Sequence, residues 1–279
     1  MQRRSFFLIT ALAFGFAFLY VPILLMIMYS FNAGKLVTVW AGFSTRWYGA
    51  LFQNEQMLDA ARLSLKIASL NATGAVILGT LAGLVLARFG RFKGRTLLSG
   101  MTTAPLVMPE VITGLSLLLL FVAMDAAFGW PAGRGVTTMT IAHITFSMAY
   151  VAVVVQSRLT TFDESLEEAA MDLGARPAKV FFVITLPIIL PAIVSGWLLA
   201  FTLSWDDLVI SSFVSGPGST TLPMLIFSKV RLGVSPEINA LATILVLAVT
   251  VGIVASALWM QRKERLRQRD VQMAQAANQ

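Results

Sequence analysis

Three acidic side chains lie inside oily stretches of this 279-residue chain: Glu110, Asp206 and Asp207. A carboxylate at the centre of a bilayer costs about 2.5–3.5 kcal/mol on insertion scales, so such groups face a protein interior or a watery path. All three are expected in the outer half of their spans, which lowers that cost. Trp205 adjoins the aspartate pair, and an aromatic face attracts a cation within about 6 Å. Carboxylates beside an aromatic ring suit the passage of a cation. The competing reading is structural: the acids pair with Arg134, Lys229 or Arg231, or cap a broken helix. Adjacent residues point to different sides of a helix, so only one of the two aspartates is expected to face a path. Bond-making chemistry is poorly provided for. There is one histidine and no cysteine, which excludes disulfides and thiolate metal sites. His143 lacks the His, Cys or carboxylate neighbours of a metal site and is expected to be packed or hydrogen-bonded.

These residues need a membrane around them. The chain is 57% hydrophobic and 13% charged, whereas a soluble domain is nearer half apolar and a quarter charged. The apolar residues come in blocks long enough to cross hydrocarbon. Six spans are expected, at about 6–31, 64–87, 98–124, 137–157, 188–214 and 239–260. The first is too long for the apolar core of a cleaved signal peptide and is read as a retained helix. Gly74, Gly79 and Gly83 lie on nearby turns of the second span, where small residues allow close helix approach. Pro105 and Pro109 are expected to bend or break the third. The fold class is an all-α integral membrane protein. A net charge of +7 would raise nucleic acid as a partner in a soluble protein; here the bias is topological, and no nucleic acid is expected. Arg3, Arg4, the cluster from Arg88 to Arg95, Arg158, Arg176, Lys179 and the tail from Arg262 to Arg269 outweigh the opposite side about two to one. Both termini and the 158–186 segment are therefore expected in the cytoplasm.

That segment contains EEAAMDLGARPAKVFFVITLP, residues 167–187. Thr161 and Glu164 have the spacing of a capping box. Leu166, Ala169, Ala170 and Leu173 fall on one helical face. Glu164, Glu167 and Glu168 lie early, where the helix dipole favours carboxylates. Gly174 is placed to end the helix, and Pro177 to open the next. The expectation is helix, Gly turn, helix. An amphipathic helix on the bilayer surface is usually basic and bulky. This one is acidic with a small apolar face, which fits a groove on a partner protein better.

Glu168-Ala169-Ala170, Gly174, Ile184 and Leu186-Pro187 together resemble the signature of the membrane permease subunits of bacterial ABC importers. The resemblance covers about residues 60–260. It implies residence in a bacterial inner membrane and makes this segment the coupling helix, with Glu167, Glu168, Ala169, Ala170, Asp172, Gly174, Arg176 and Pro177 meeting a cytoplasmic ATPase subunit. It further implies a second permease subunit, two ATPase subunits and a periplasmic binding protein. The chain has no G-x-x-x-x-G-K-[ST] phosphate loop, so ATP is expected to be used by the partner ATPase and no cofactor is expected here. The expected organisation is a first span and periplasmic segment over 1–59, a permease core over 60–261 and a basic cytoplasmic tail over 262–279. The stretches LVTVWAGFSTRWY, APLVMPEVITGLSLLLLF and LSWDDLVISSFVSGPGSTTLPMLIFS resemble the putrescine and spermidine importer permeases, whose polyamine cargo would use Glu110, Trp205, Asp206 and Asp207. Other solutes, such as an anion, ferric iron or a sugar, stay open at this level. So does a secondary transporter or channel, although these often show repeated halves and none is evident. A membrane enzyme has little to build on.

Overall fold

A computed structural model describes residues 6–36, 39–233 and 235–277. Its described residues are largely helical, with one isolated bridge between Asn32 and Phe43. The chain divides into two units. One holds the described residues up to Glu55 together with those from Lys229 onward; the other runs from Gln56 to Ser228.

In the first unit, α1 (Phe6–Ser30) packs against the long α12 (Pro236–Ala277), as does the short α2 (Arg46–Gln53). Only Ser30 of α1 is buried. A helix apolar all round that buries so little against protein is suited to lipid. The chain leaving α1 is organised by the buried Asn32. Its amide donates to the carbonyls of Leu36 (3.1 Å) and Val39 (2.7 Å), and its Oδ1 accepts from the N–H groups of Gly34 and Ala41. Phe31 stacks on Phe43 beside it, with centroids 5.4 Å apart. The basic tail expected as a separate segment continues α12 without a break through its described part. Its Gln, Arg, Lys and Glu residues are good helix formers, and neither Gly nor Pro interrupts them.

The second unit is built around α6 (Val136–Thr160), whose buried residues recur along its whole length. Against it lie α3 (Glu55–Arg88), α4 (Arg95–Val107), α5 (Glu110–Phe128) and, after the short helices α7 (Ser165–Asp172) and α8 (Pro177–Val180), the long α9 (Leu186–Trp205). A short α10 (Val209–Val214) precedes α11 (Leu222–Leu232). Lipid is as apolar as leucine, so helices associate through close packing and hydrogen bonds instead. Gly79 and Gly83 supply the close packing, as the small-residue spacing led one to expect. A Cβ at Gly79 would lie 2.8 Å from the Met148 carbonyl oxygen, and one at Gly83 would lie 2.9 Å from that of Ala152. Gly74 leaves room instead for the Ile144 side chain. Asn71 adds the polar link. Its amide donates to Ser147 Oγ (3.2 Å) and to the Ala200 carbonyl (2.7 Å), joining α3, α6 and α9.

Among the described residues, five helices are long and apolar enough to cross a membrane: Phe6–Ser30, Glu55–Arg88, Glu110–Phe128, Val136–Thr160 and the stretch Pro177–Trp205; Pro236–Gly252 adds a shorter apolar length. This agrees with about six spans, but two expected spans are not continuous. The third divides at Met108–Pro109, between α4 and α5. Pro109 has no N–H to carry the ladder onward, whereas Pro105 is accommodated inside α4. The fifth ends at Trp205, and Asp206–Leu208 separate α9 from α10.

Replacing Gly79 by Leu should force α3 and α6 apart. Overpacking of this kind costs about 1–3 kcal/mol. The melting temperature of the detergent-purified protein should fall for Gly79→Leu and hold for Gly100→Leu, since Gly100 has open space around it.

Candidate coupling segment and translocation acids

The 158–186 segment forms the expected helix, turn and helix, with a different start. Thr161 does not cap α7, because its hydroxyl turns back to the Arg158 carbonyl at 2.9 Å and extends the end of α6. Asp163 takes the role instead, its Oδ1 accepting the Ser165 N–H at 3.0 Å. That backbone bond, with a second from the Ser165 hydroxyl, holds Asp163 below the usual carboxylate range. A depressed carboxylate stabilises the fold above its unfolded pKa and loses that contribution as pH falls through the folded value, so this start of α7 is intact at neutral pH.

The far end matches expectation closely. Gly174 has φ +84°, a region open to glycine at no steric cost. Its N–H donates to the Met171 carbonyl at 2.8 Å, and the Ala175 N–H to that of Ala170 at 3.0 Å. Those two bonds make a Schellman turn. Pro177 then opens α8. Phe181–Thr185 form one π-helical turn leading into α9. Pro187 explains the need for it, since it cannot donate to the Val183 carbonyl as an α-helix requires.

No residue of α7 is buried. Leu166 and Ala169 are exposed, and Leu173 is 90% exposed. Glu168, Asp172, Arg176 and Pro177 are exposed as well, whereas Ala170 is partly covered. Glu167 points the other way. Its carboxylate accepts from the Thr185 hydroxyl at 2.5 Å and forms a 3.0 Å ion pair with Arg88 Nε. Arg88 Nη1 also meets Glu164 at 2.6 Å, and its guanidinium lies over the Phe162 ring at 5.6 Å. Sequence reasoning treated Arg88 only as one of a basic cluster marking topology. Its position at the end of α3, on the side where the acidic segment was also expected, was the available signal.

The intramembrane acids separate into distinct environments. Asp207, 8% exposed at its side chain, meets His143 Nε2 at 3.1 Å. Its oxygens also accept the N–H groups of Ile210 (3.2 Å) and Ser211 (2.7 Å) at the start of α10. His143 is completed by Ser204 Oγ at 2.6 Å and Ser211 Oγ at 3.1 Å. Asp207 therefore acts as the cap of a broken helix, with His143 as its hydrogen-bonding partner. Asp206 is exposed, and the preceding Trp205 ends a stacked series with Phe201 and Trp197, at centroid spacings of 5.9 and 5.4 Å. Glu110 is exposed in the first turn of α5, where a carboxylate favours the helix dipole. One turn later Gly114 packs against Ile210 and Phe213. That crossing of α5 and α10 brings the opening of α5 to the neighbourhood of the Asp206–Leu208 break.

Residues 76–268 match the family described as binding-protein-dependent transport system inner membrane component. The chain belongs to this family. Over 97% of its length it is 64% identical to the putrescine transport system permease protein PotI of Escherichia coli K12, covering 96% of that protein. It is 42% identical, over 90% of its length and 92% of the relative's, to the spermidine/putrescine transport system permease protein PotC of the same organism. Its fold is shared with a chain of a bacterial ABC transporter involved in the import of the acidic polysaccharide alginate, at a TM-score of 0.69 and 16% identity, covering 92% of this chain and 98% of that one. Membership makes the chain an inner-membrane transport component and identifies its apolar helices as spans.

Asp207→Ala should lower the melting temperature, because each buried group left unpaired costs about 1–3 kcal/mol. Asp206→Ala should leave it close to the parent value. The two can be compared by thermal unfolding in one detergent.

Proposed function

We propose that this chain is one permease subunit of an ATP-driven importer of polyamines, putrescine foremost. The observation that carries the cargo is the 64% identity, almost end to end, to a putrescine permease. The chain has no phosphate loop of its own, so ATP hydrolysis falls to two cytoplasmic ATPase subunits. A second permease subunit supplies the other half of the path, and a periplasmic binding protein delivers the cargo. Both termini face the cytoplasm.

The coupling helix is α7. Its apolar side and Glu168 enter a groove on one ATPase subunit, and Gly174 sets the sharp exit that returns the chain to the membrane. Asp172, Arg176 and Pro177 rim the same contact. What supports this is a short helix left bare on its apolar side although its ends are fixed by hydrogen bonds. In the membrane, a linear polycation needs counter-charges that release it again. Asp206 and Glu110 provide isolated carboxylates, Trp205 provides an aromatic face, and Asp207 holds the break that presents them.

Reconstitution with candidate partner subunits tests the whole reading. Putrescine-loaded binding protein should stimulate ATP hydrolysis together with uptake, and activity of this chain alone would refute it. Asp206→Asn should reduce putrescine uptake about tenfold, one unit of transition free energy near 1.4 kcal/mol, at unchanged subunit abundance. Gly174→Leu should leave the protein inserted but separate ATP hydrolysis from uptake, because a branched side chain strains the left-handed position that the turn requires.

A further inference from the structure

We infer that Arg88, Glu167 and Thr185 form an internal clasp through which the position of α7 is passed to α3 and to the base of α9. The inference rests on the coupling role proposed above for α7, and it assigns Glu167 a task different from that of its neighbour. Glu168 is exposed, whereas Glu167 is turned into the chain.

Three elements meet at one carboxylate. One Glu167 oxygen accepts from Thr185, which closes the π-helical turn beneath α9. The other pairs at 3.0 Å with Arg88, the last residue of α3. The side chains of Arg88 and Glu167 are 12% and 14% exposed. An ion pair this well covered is little screened by salt and resists separation. By contrast, Glu164 is 59% exposed and its bond to the same arginine is open to solvent. Such a contact is a weak one.

Apart from the clasp, α7 has few means of holding its place. It has no buried residue, and its two ends are joined to the rest of the chain by turns. A helix held only by its ends would tilt under load instead of carrying the load onward. The Glu167 carboxylate prevents this by tying a side chain of the first turn of α7 to the end of α3 and to the turn that opens α9. Rigid elements joined by a largely covered polar network are one physical means by which a displacement travels. Glu167 and Arg88 are thus positioning residues for coupling, acting behind the docking face.

The test uses the assembled transporter in proteoliposomes and reads putrescine uptake per ATP hydrolysed, alongside retention of the ATPase subunits on an affinity column. Glu167→Gln and Arg88→Gln should retain the ATPase subunits but lower the ratio at least tenfold. The double exchange Arg88→Glu with Glu167→Arg should recover part of it. Asp59→Asn, which removes the exposed Asp59–Arg62 pair, should leave the ratio unchanged. An unaltered ratio in Glu167→Gln would overturn the clasp. So would loss of the ATPase subunits from that variant, since it would place Glu167 on the docking face. If neither charge variant assembles, Thr185→Val decides, because it removes one hydrogen bond and keeps the shape. It should reduce the ratio, and a parental ratio there refutes the inference. Failure of the unaltered chain to retain any ATPase subunit would instead count against the coupling role of α7 itself.

Discussion

A backbone N–H or C=O in hydrocarbon has no water to pair with, and two departures from regular helix, at Asp206–Leu208 and at Phe181–Thr185, answer that constraint. Where α9 stops, the Asp207 carboxylate receives the first N–H groups of α10. The closing carbonyl of α10, at Val214, accepts from the Thr138 hydroxyl at 2.7 Å. Pro187 costs the chain a donor, and a π-helical turn re-registers the ladder around it. Both departures are thereby accommodated inside a membrane, and both place polar side chains, Asp206 and Thr185, in otherwise apolar stretches.

The same constraint shapes the core. Without a hydrophobic drive between helices, α3 and α6 hold together through glycines that let backbones touch and through the Asn71 hydrogen bonds. The result is a tight bundle around α6 that includes two apolar clusters among the described residues. One is centred on Ile67, Met139 and Ile210, and the other on Ala75, Val155 and Ile189. His143 and Asp207 pair beside the first. Their burial lets a single carboxylate fix the break above them.

Much of this was readable from residue order. Long apolar blocks reveal spans, because hydrocarbon thickness sets their length. The Gly174 turn was readable because glycine tolerates its backbone angle and few other residues do. Gly79 and Gly83 announced close packing by their spacing. The start of α7 was misjudged, since Thr161 and Asp163 both suit a cap and only the end of α6 decides between them. The pairing of His143 with Asp207 was hidden for another reason: 64 residues separate them, and no local pattern registers such a contact. The direction of Glu167 was hidden likewise, because adjacent glutamates look alike until a distant arginine selects one.

The length of α3 has a mechanical consequence. It is one unbroken helix of 34 residues, about 51 Å long. Arg88 lies at one end, and Ser64, whose hydroxyl accepts the Leu222 N–H at 2.8 Å, lies far along it. Gly79, in contact with the α6 backbone, stands nine residues from Arg88 and fifteen from Ser64, about 14 and 23 Å along the axis. Gly83 touches the same backbone and Asn71 bonds to α6 and α9, so α3 is clamped along its middle. Arg88 and Ser64 therefore stand at the two ends of one braced strut, and neither can shift along the axis without the other.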